Sequence, residues 1–259
     1  METTPNSDTA ASVSLSSTLA AIDQVEGWLT RAQATRLWRA AGQVPAAGQI
    51  VEIGSFRGRS TTVLGLGSLP DVHVFAVDPF LGSDRGPQEI AEDRDRGKAD
   101  MALFTDQISR ADLSQRVTLV RELSGAAAAL SGVTGRVDLL YIDGAHRYAP
   151  ARDDIAHWGA RVNNDGGVML IHDAFSSIGV TLASMRLLFA SSRWLYVGRD
   201  GSLAQYRAAA LSNGQRASNA ARQALQLGWF ARNLVIKLLI TAKLGRLTRL
   251  FGHDGSWPY

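Results

Sequence analysis

Five short apolar runs recur along this chain: "QIVEIG" at 49–54, "HVFAVD" at 73–78, "RVTLVR" at 116–121, "VDLLYID" at 137–143 and "GGVMLIHD" at 166–173. Helical patterns separate them. Runs that must be covered on both faces, alternating with helices, form a parallel sheet in an α/β domain. Two further β-rich runs, "RWLYVGR" (193–199) and "SLAQYR" (202–207), are joined by Asp200-Gly201, the strongest short-range hairpin signal. The expectation is a seven-stranded, mostly parallel sheet that closes in an antiparallel hairpin.

Around this core the chain divides into three parts. The first 18 residues are small and polar, with an acid directly after Met1 and neither the basic nor the apolar region of a secretion signal, so 1–18 reads as a disordered leader. From Ile22 to Ala41, Val25, Trp28, Leu29, Ala32, Leu37 and Trp38 fall near helical spacing, which predicts one or two helices before the first strand. The main domain spans 19–207. After it, 208–259 changes from small polar residues to an apolar stretch with interspersed bases, where Lys237 and Lys243 interrupt any run long enough to span a membrane. That tail reads as a basic amphipathic helical segment suited to a partner subunit or an anionic membrane surface.

Charge separates the parts further. Residues 207–251 hold eight of the 27 Lys and Arg and no acid, leaving 19 bases against 24 acids elsewhere. The body is mildly acidic, which argues against a nucleic-acid groove. The absence of cysteine removes disulfides and thiolate sites, leaves oxygen or imidazole to hold any metal, and fits a cytoplasmic enzyme, peripheral at the membrane if the tail docks there.

The chemistry-bearing residues cluster at strand ends. "VEIGSFRGRST" (51–61) follows the first strand and opens a helix: Gly54 permits a tight turn against a ligand, Ser55 lies in it, and Ser60 and Thr61 offer hydroxyls at the helix start. It is neither a dinucleotide fingerprint nor a P-loop, and the acid Glu52 suits a cationic ligand better than a pyrophosphate. Asp78 ends the second strand where doubly wound folds place an acid on ribose hydroxyls; before Pro79 it equally suits a turn. An acidic glycine turn with a strand-two acid points to S-adenosylmethionine, with Ser124 completing the candidate contacts. Asp143 and Asp173 end the fourth and fifth strands on the same edge, although an acid there also serves as a helix cap.

These motifs, with "AVDPF", "YIDGAHRY", "DDI..W" and "GGVMLIHDAF", resemble the class I S-adenosylmethionine-dependent methyltransferases over roughly Val25 to Tyr206, and among them the bacterial metal-dependent sugar O-methyltransferases of the macrolide and cell-wall glycan type. The resemblance implies a Rossmann-like sheet, a divalent cation such as magnesium at Asp143 and the pair His172, Asp173, and His146 as the base for a saccharide hydroxyl. It also implies a homo-oligomer. His172 stands where the family has a carboxylate, and imidazole suits a softer metal or a place behind the ligands. A base with pKa near roughly 6.5 is what a weakly acidic hydroxyl needs.

Three rivals remain in view. Amino and nucleic-acid methyltransferases commonly carry an Asn/Asp-Pro-Pro-aromatic motif where this chain has "IDGAH"; nicotinamide oxidoreductases need the missing fingerprint; a non-catalytic or metal-free member would dock through its basic tail.

Overall fold

The computed structural model describes residues 13–83, 91–129, 133 and 135–253. Within the expected leader, 1–12 lie outside the described residues. Its last part is ordered instead: α1 (Leu15–Ala21) begins inside it, capped by Ser14, whose hydroxyl accepts from the Ser17 amide. A serine cap thus starts a helix inside the stretch expected as a leader. α2 (Arg31–Ala41) opens with a reciprocal capping box between Thr30 and Gln33.

Between these helices the structure corrects the helical reading of Ile22 to Leu29. The segment is irregular, and the Arg59 guanidinium binds the carbonyls of Ile22 (2.6 Å), Val25 (2.5 Å) and Leu29 (3.2 Å). Those oxygens are satisfied by a cation at the start of the helix that follows the first strand instead of by a helical ladder.

The sheet has seven strands in the order β3-β2-β1-β4-β5-β7-β6. They are β1 (Gln49–Ile53), β2 (His73–Val77), β3 (Val117–Val120), β4 (Leu139–Ile142), β5 (Val168–Ile171), β6 (Trp194–Asp200) and β7 (Leu203–Ala208). β1 to β5 pair in parallel, and β7 runs antiparallel to both β5 and β6. The intervening helices are α3 (Arg59–Gly67), α4 (Arg94–Arg110), the short α5 (Ser124–Ala127), α6 (Tyr148–His157) and α7 (Ile178–Leu187). This is the Rossmann-like doubly wound arrangement, with the antiparallel hairpin at one edge.

Strand parity explains the two cores. Val51, Ile53, Leu140, Ile142, Met169 and Ile171 face one side and pack with α6 and α7 residues such as Ile155 and Val180. Ile50, Leu139, Tyr141, Val168 and Leu170 face the other, against Leu37 of α2 and Leu64 of α3. All four residues of β4 and of β5 are buried, so a truncation such as Leu140→Ala costs about 2–5 kcal/mol.

The C-terminal segment continues as α8 (Asn213–Ala224), α9 (Leu227–Thr241) and a 3-10 helix at Gly245–Phe251. It packs onto the domain: Leu227, Trp229 and Phe230 lie against the main core, and Ile236 is fully buried. No helix among the described residues is long and apolar enough to cross a membrane. In the charge-rich 81–113 segment, 84–90 lie outside the described residues. α4 starts at Arg94, where Asp93 accepts from the Asp95 and Arg96 amides.

Candidate active site

The strand order reverses between β1 and β4, and there the loops after the two strands touch. Gly54, at φ 86°, lies so close to the strand-four loop that a Cβ on it would stand 2.1 Å from the Asp143 carbonyl oxygen. Only glycine fits. Above this contact opens a cleft of about 280 Å³, in the crevice outside the carboxyl ends of the strands where open α/β sheets bind ligands.

At one end of the cleft, Asp78 organises the glycine turn. Its Oδ2 accepts from the amides of Ser55 (3.0 Å) and Phe56 (2.9 Å), and Oδ1 from the amide of Phe80 (2.8 Å). Burial raises its pKa against these bonds. A carboxylate offers about four acceptor positions, so Asp78 retains capacity toward the cleft it lines. Gly54, Ser55, Ser60 and Ser124 line the cleft as well.

Glu52, expected to contact the ligand, does not line the cleft. It is fully buried beneath it, accepting from the hydroxyls of Ser60 (2.5 Å) and Thr61. Strand parity puts Glu52 on the Ile50 face, which α3 covers. Burial pushes its pKa up to about 7, against the lowering effect of the two hydroxyls. Its place is to fasten the start of α3 to β1.

Across the cleft the loops after β4 and β5 bring Asp143, His146, His172 and Asp173 together. His146 Nε2 is 2.7 Å from Asp173 Oδ2. The nearly inaccessible His172 sends Nδ1 between the carboxylates, 3.2 Å from Asp143 Oδ1 and 3.3 Å from Asp173 Oδ2. Tyr141 donates from its hydroxyl to Asp143 Oδ2 (2.9 Å).

The electrostatics follow from these contacts. Burial opposes a charged His172, but Asp143 and Asp173 outweigh it and hold its pKa well above the ordinary value. Burial likewise opposes charge on His146, and its bond to Asp173 reverses the shift upward. Asp173 is held far below the usual carboxylate range by His172 and His146 despite its burial.

Asp143, His146 and Asp173 can each turn one ligand atom to within 4.8 Å of the others. His172, expected beside Asp143 and Asp173 as a ligand, is outside that set; its Nδ1 bridges the acids, and its Nε2 is buried with no hydrogen-bond partner among the described residues. Two carboxylates with one imidazole suit a divalent cation, the nitrogen favouring a softer ion than magnesium.

The strand-five turn is strained. Asp173 (φ 56°) and Phe175 (φ 59°) are left-handed without being glycine, a conformation that persists only where the surroundings over-determine it. The Asp173 carbonyl accepts from the Ser176 and Ser177 amides. Ser177 Oγ donates to the His146 carbonyl (3.1 Å), and a Cβ on Gly179 would lie 2.2 Å from that same oxygen. Lys237 of α9 donates to the Ser176 carbonyl (2.9 Å) and hydroxyl (3.1 Å).

Several residues of the site escape a sequence reading. Lys237 carries no local signal, since its partner lies 61 residues away. Asp154 did have one. It falls between Ala151, Ile155 and Trp158 on the buried face of α6, and an acid on an apolar face is informative. It accepts from Ser124 Oγ (2.5 Å), lines the cleft, and has a pKa raised by burial to about 6. Trp28 and Phe56, rings 5.4 Å apart, supply an aromatic wall.

The fold and this edge of the sheet define a class: a Rossmann-like α/β protein with a ligand cleft where the strand order reverses. Residues 51–174 match the family model described as "Methyltransferase domain". Solved structures share the fold. An O-methyltransferase from Bacillus cereus in complex with SAH is 16% identical, with 78% of this chain and 92% of that one covered and a TM-score of 0.52. Cofactor-bound Rv0187 from MTB is 19% identical, with coverage of 75% and 88% and a TM-score of 0.51. The O-methyltransferase NovP is 17% identical, with coverage of 71% and 83% and a TM-score of 0.50.

Proposed function

We propose that this protein transfers a methyl group from S-adenosylmethionine to a hydroxyl of a saccharide or glycoside. The observation that carries the reading is the meeting of Asp143, His146 and Asp173 in the same cleft that Gly54 and Asp78 line. When bound, S-adenosylmethionine supplies an electrophilic methyl carbon, and a divalent cation supplies positive charge that acidifies the acceptor hydroxyl.

The chain's own residues do the rest. Gly54, Ser55 and Ser124 line the cofactor's end, and Asp78 faces the ribose. Asp173 holds His146 by Nε2, which leaves Nδ1 to take the hydroxyl proton. Trp28 and Phe56 offer flat apolar faces to the C–H face of a sugar ring. Asp143 and Asp173 hold the cation. Catalysis on this account is positioning and electrostatics.

One observation favours a metal-free variant of the same reaction: His172 Nδ1 already sits between Asp143 and Asp173, where a single imidazolium charge is shared by the two carboxylates. Activity in EDTA separates the two. A homo-oligomer belongs to the same proposal and is read by sedimentation velocity.

Asp143→Ala tests the reacting centre. Turnover falls by at least about a hundredfold, while S-adenosylhomocysteine binding, measured by calorimetry, stays within a few-fold of wild type. Wild-type turnover in that variant contradicts the assignment.

A further inference from the structure

The end of the chain presents a surface that methyl transfer does not use. One side of α9 buries Asn233 and Ile236, but Leu238 is 68% exposed, and in the 3-10 helix that follows Leu247 is 45% and Leu250 81% exposed. In a 3-10 helix residues three apart eclipse. Leu247 and Leu250 therefore form one row, and Arg246 and Arg249, also exposed, form a second beside it. Just ahead, exposed Leu244 and Lys243 continue the same spacing.

Residues 201–253 contain no Asp or Glu, and none of Lys243, Arg246 and Arg249 makes an ion pair among the described residues. An apolar row with a basic row beside it matches a boundary that is hydrocarbon on one side and negatively charged on the other.

We propose that the outer face of α9 and the 3-10 helix dock on an anionic lipid surface, with Leu244, Leu247 and Leu250 entering the acyl boundary and Lys243, Arg246 and Arg249 meeting lipid phosphates. The segment lies on the bilayer, since no helix among the described residues can cross one. The inference is independent of methyl transfer, so its failure leaves the proposed reaction standing.

The test is cosedimentation of the full-length protein with phosphatidylcholine vesicles, with and without phosphatidylglycerol. Binding is expected only with the anionic lipid, weakening as salt rises. Replacing Lys243, Arg246 and Arg249 together by Gln lowers partitioning by about a hundredfold, and Leu247→Glu with Leu250→Glu abolishes it. Because these positions are exposed, the thermal melt and methyl transfer in solution serve as controls that the variants fold. Absent binding to anionic vesicles, or equal binding to neutral ones, overturns the proposal. So does a dimer that the two leucine substitutions dissociate, which would make a second copy the occupant of this face.

Discussion

Glu52 shows how far a single position can be read from sequence. The acid in a glycine turn suggested a ligand contact, yet strand parity turns it into the packed α3 face, where Ser60 and Thr61 take both oxygens. Its pKa near 7 lies above the unfolded 4.5. Between those values the folded state binds the extra proton more tightly, so stability falls as pH rises through the window and levels off above about 7. Glu52→Gln removes that dependence. Relative to wild type the variant gains about 3 kcal/mol on going from pH 4.5 to 7.5, while its weaker bonds to the hydroxyls add an offset that does not change with pH. Urea unfolding of both proteins at the two pH values measures it; a constant difference would place Glu52 in a less buried setting. Asp78, Asp143 and Asp173 were legible because an apolar run that stops at an acid marks a strand's carboxyl end. His172 was not fully legible, since its bridging depends on the direction of a ring.

Elements carry the next level of information. The seven strands were readable from continuous apolar runs, and the hairpin from Asp200-Gly201, where Gly201 adopts φ 54°. α2 falls within the span read as helical, whereas Ile22 to Leu29 was misread because periodicity cannot see Arg59 collecting three carbonyls. Contacts from distant elements are equally invisible, and Lys237 is the example that bears on function. From α9 it holds Ser176, three residues after Asp173 in a turn with two strained residues. Lys237→Met is expected to lower kcat about ten- to a hundredfold by letting Asp173 and His146 drift, with the cofactor KM little changed. Lys237→Arg restores part of the loss. Steady-state kinetics on the three proteins decides; an unchanged kcat in Lys237→Met would show that the turn holds its shape without α9.

At the scale of the whole molecule, the tail read as a basic amphipathic helical segment packs onto the domain through Trp229 and Phe230, so one chain joins an inner face that supports the reacting loops to an outer face with rows of leucine and arginine. Composition revealed the basic outer face; the inner one needed three-dimensional contacts. The reacting edge of the sheet is probed by methyl transfer from labelled S-adenosylmethionine to a panel of mono- and oligosaccharides, run for wild type and His146→Asn with added divalent cation and again in EDTA. Wild type is expected to label a saccharide, with transfer lowered by about a hundredfold or more in His146→Asn and lost in EDTA where Asp143 and Asp173 hold a cation. Persistence in EDTA would select the His172-bridged, metal-free site. Label transferred equally well by His146→Asn, or to no saccharide at all, would contradict the account.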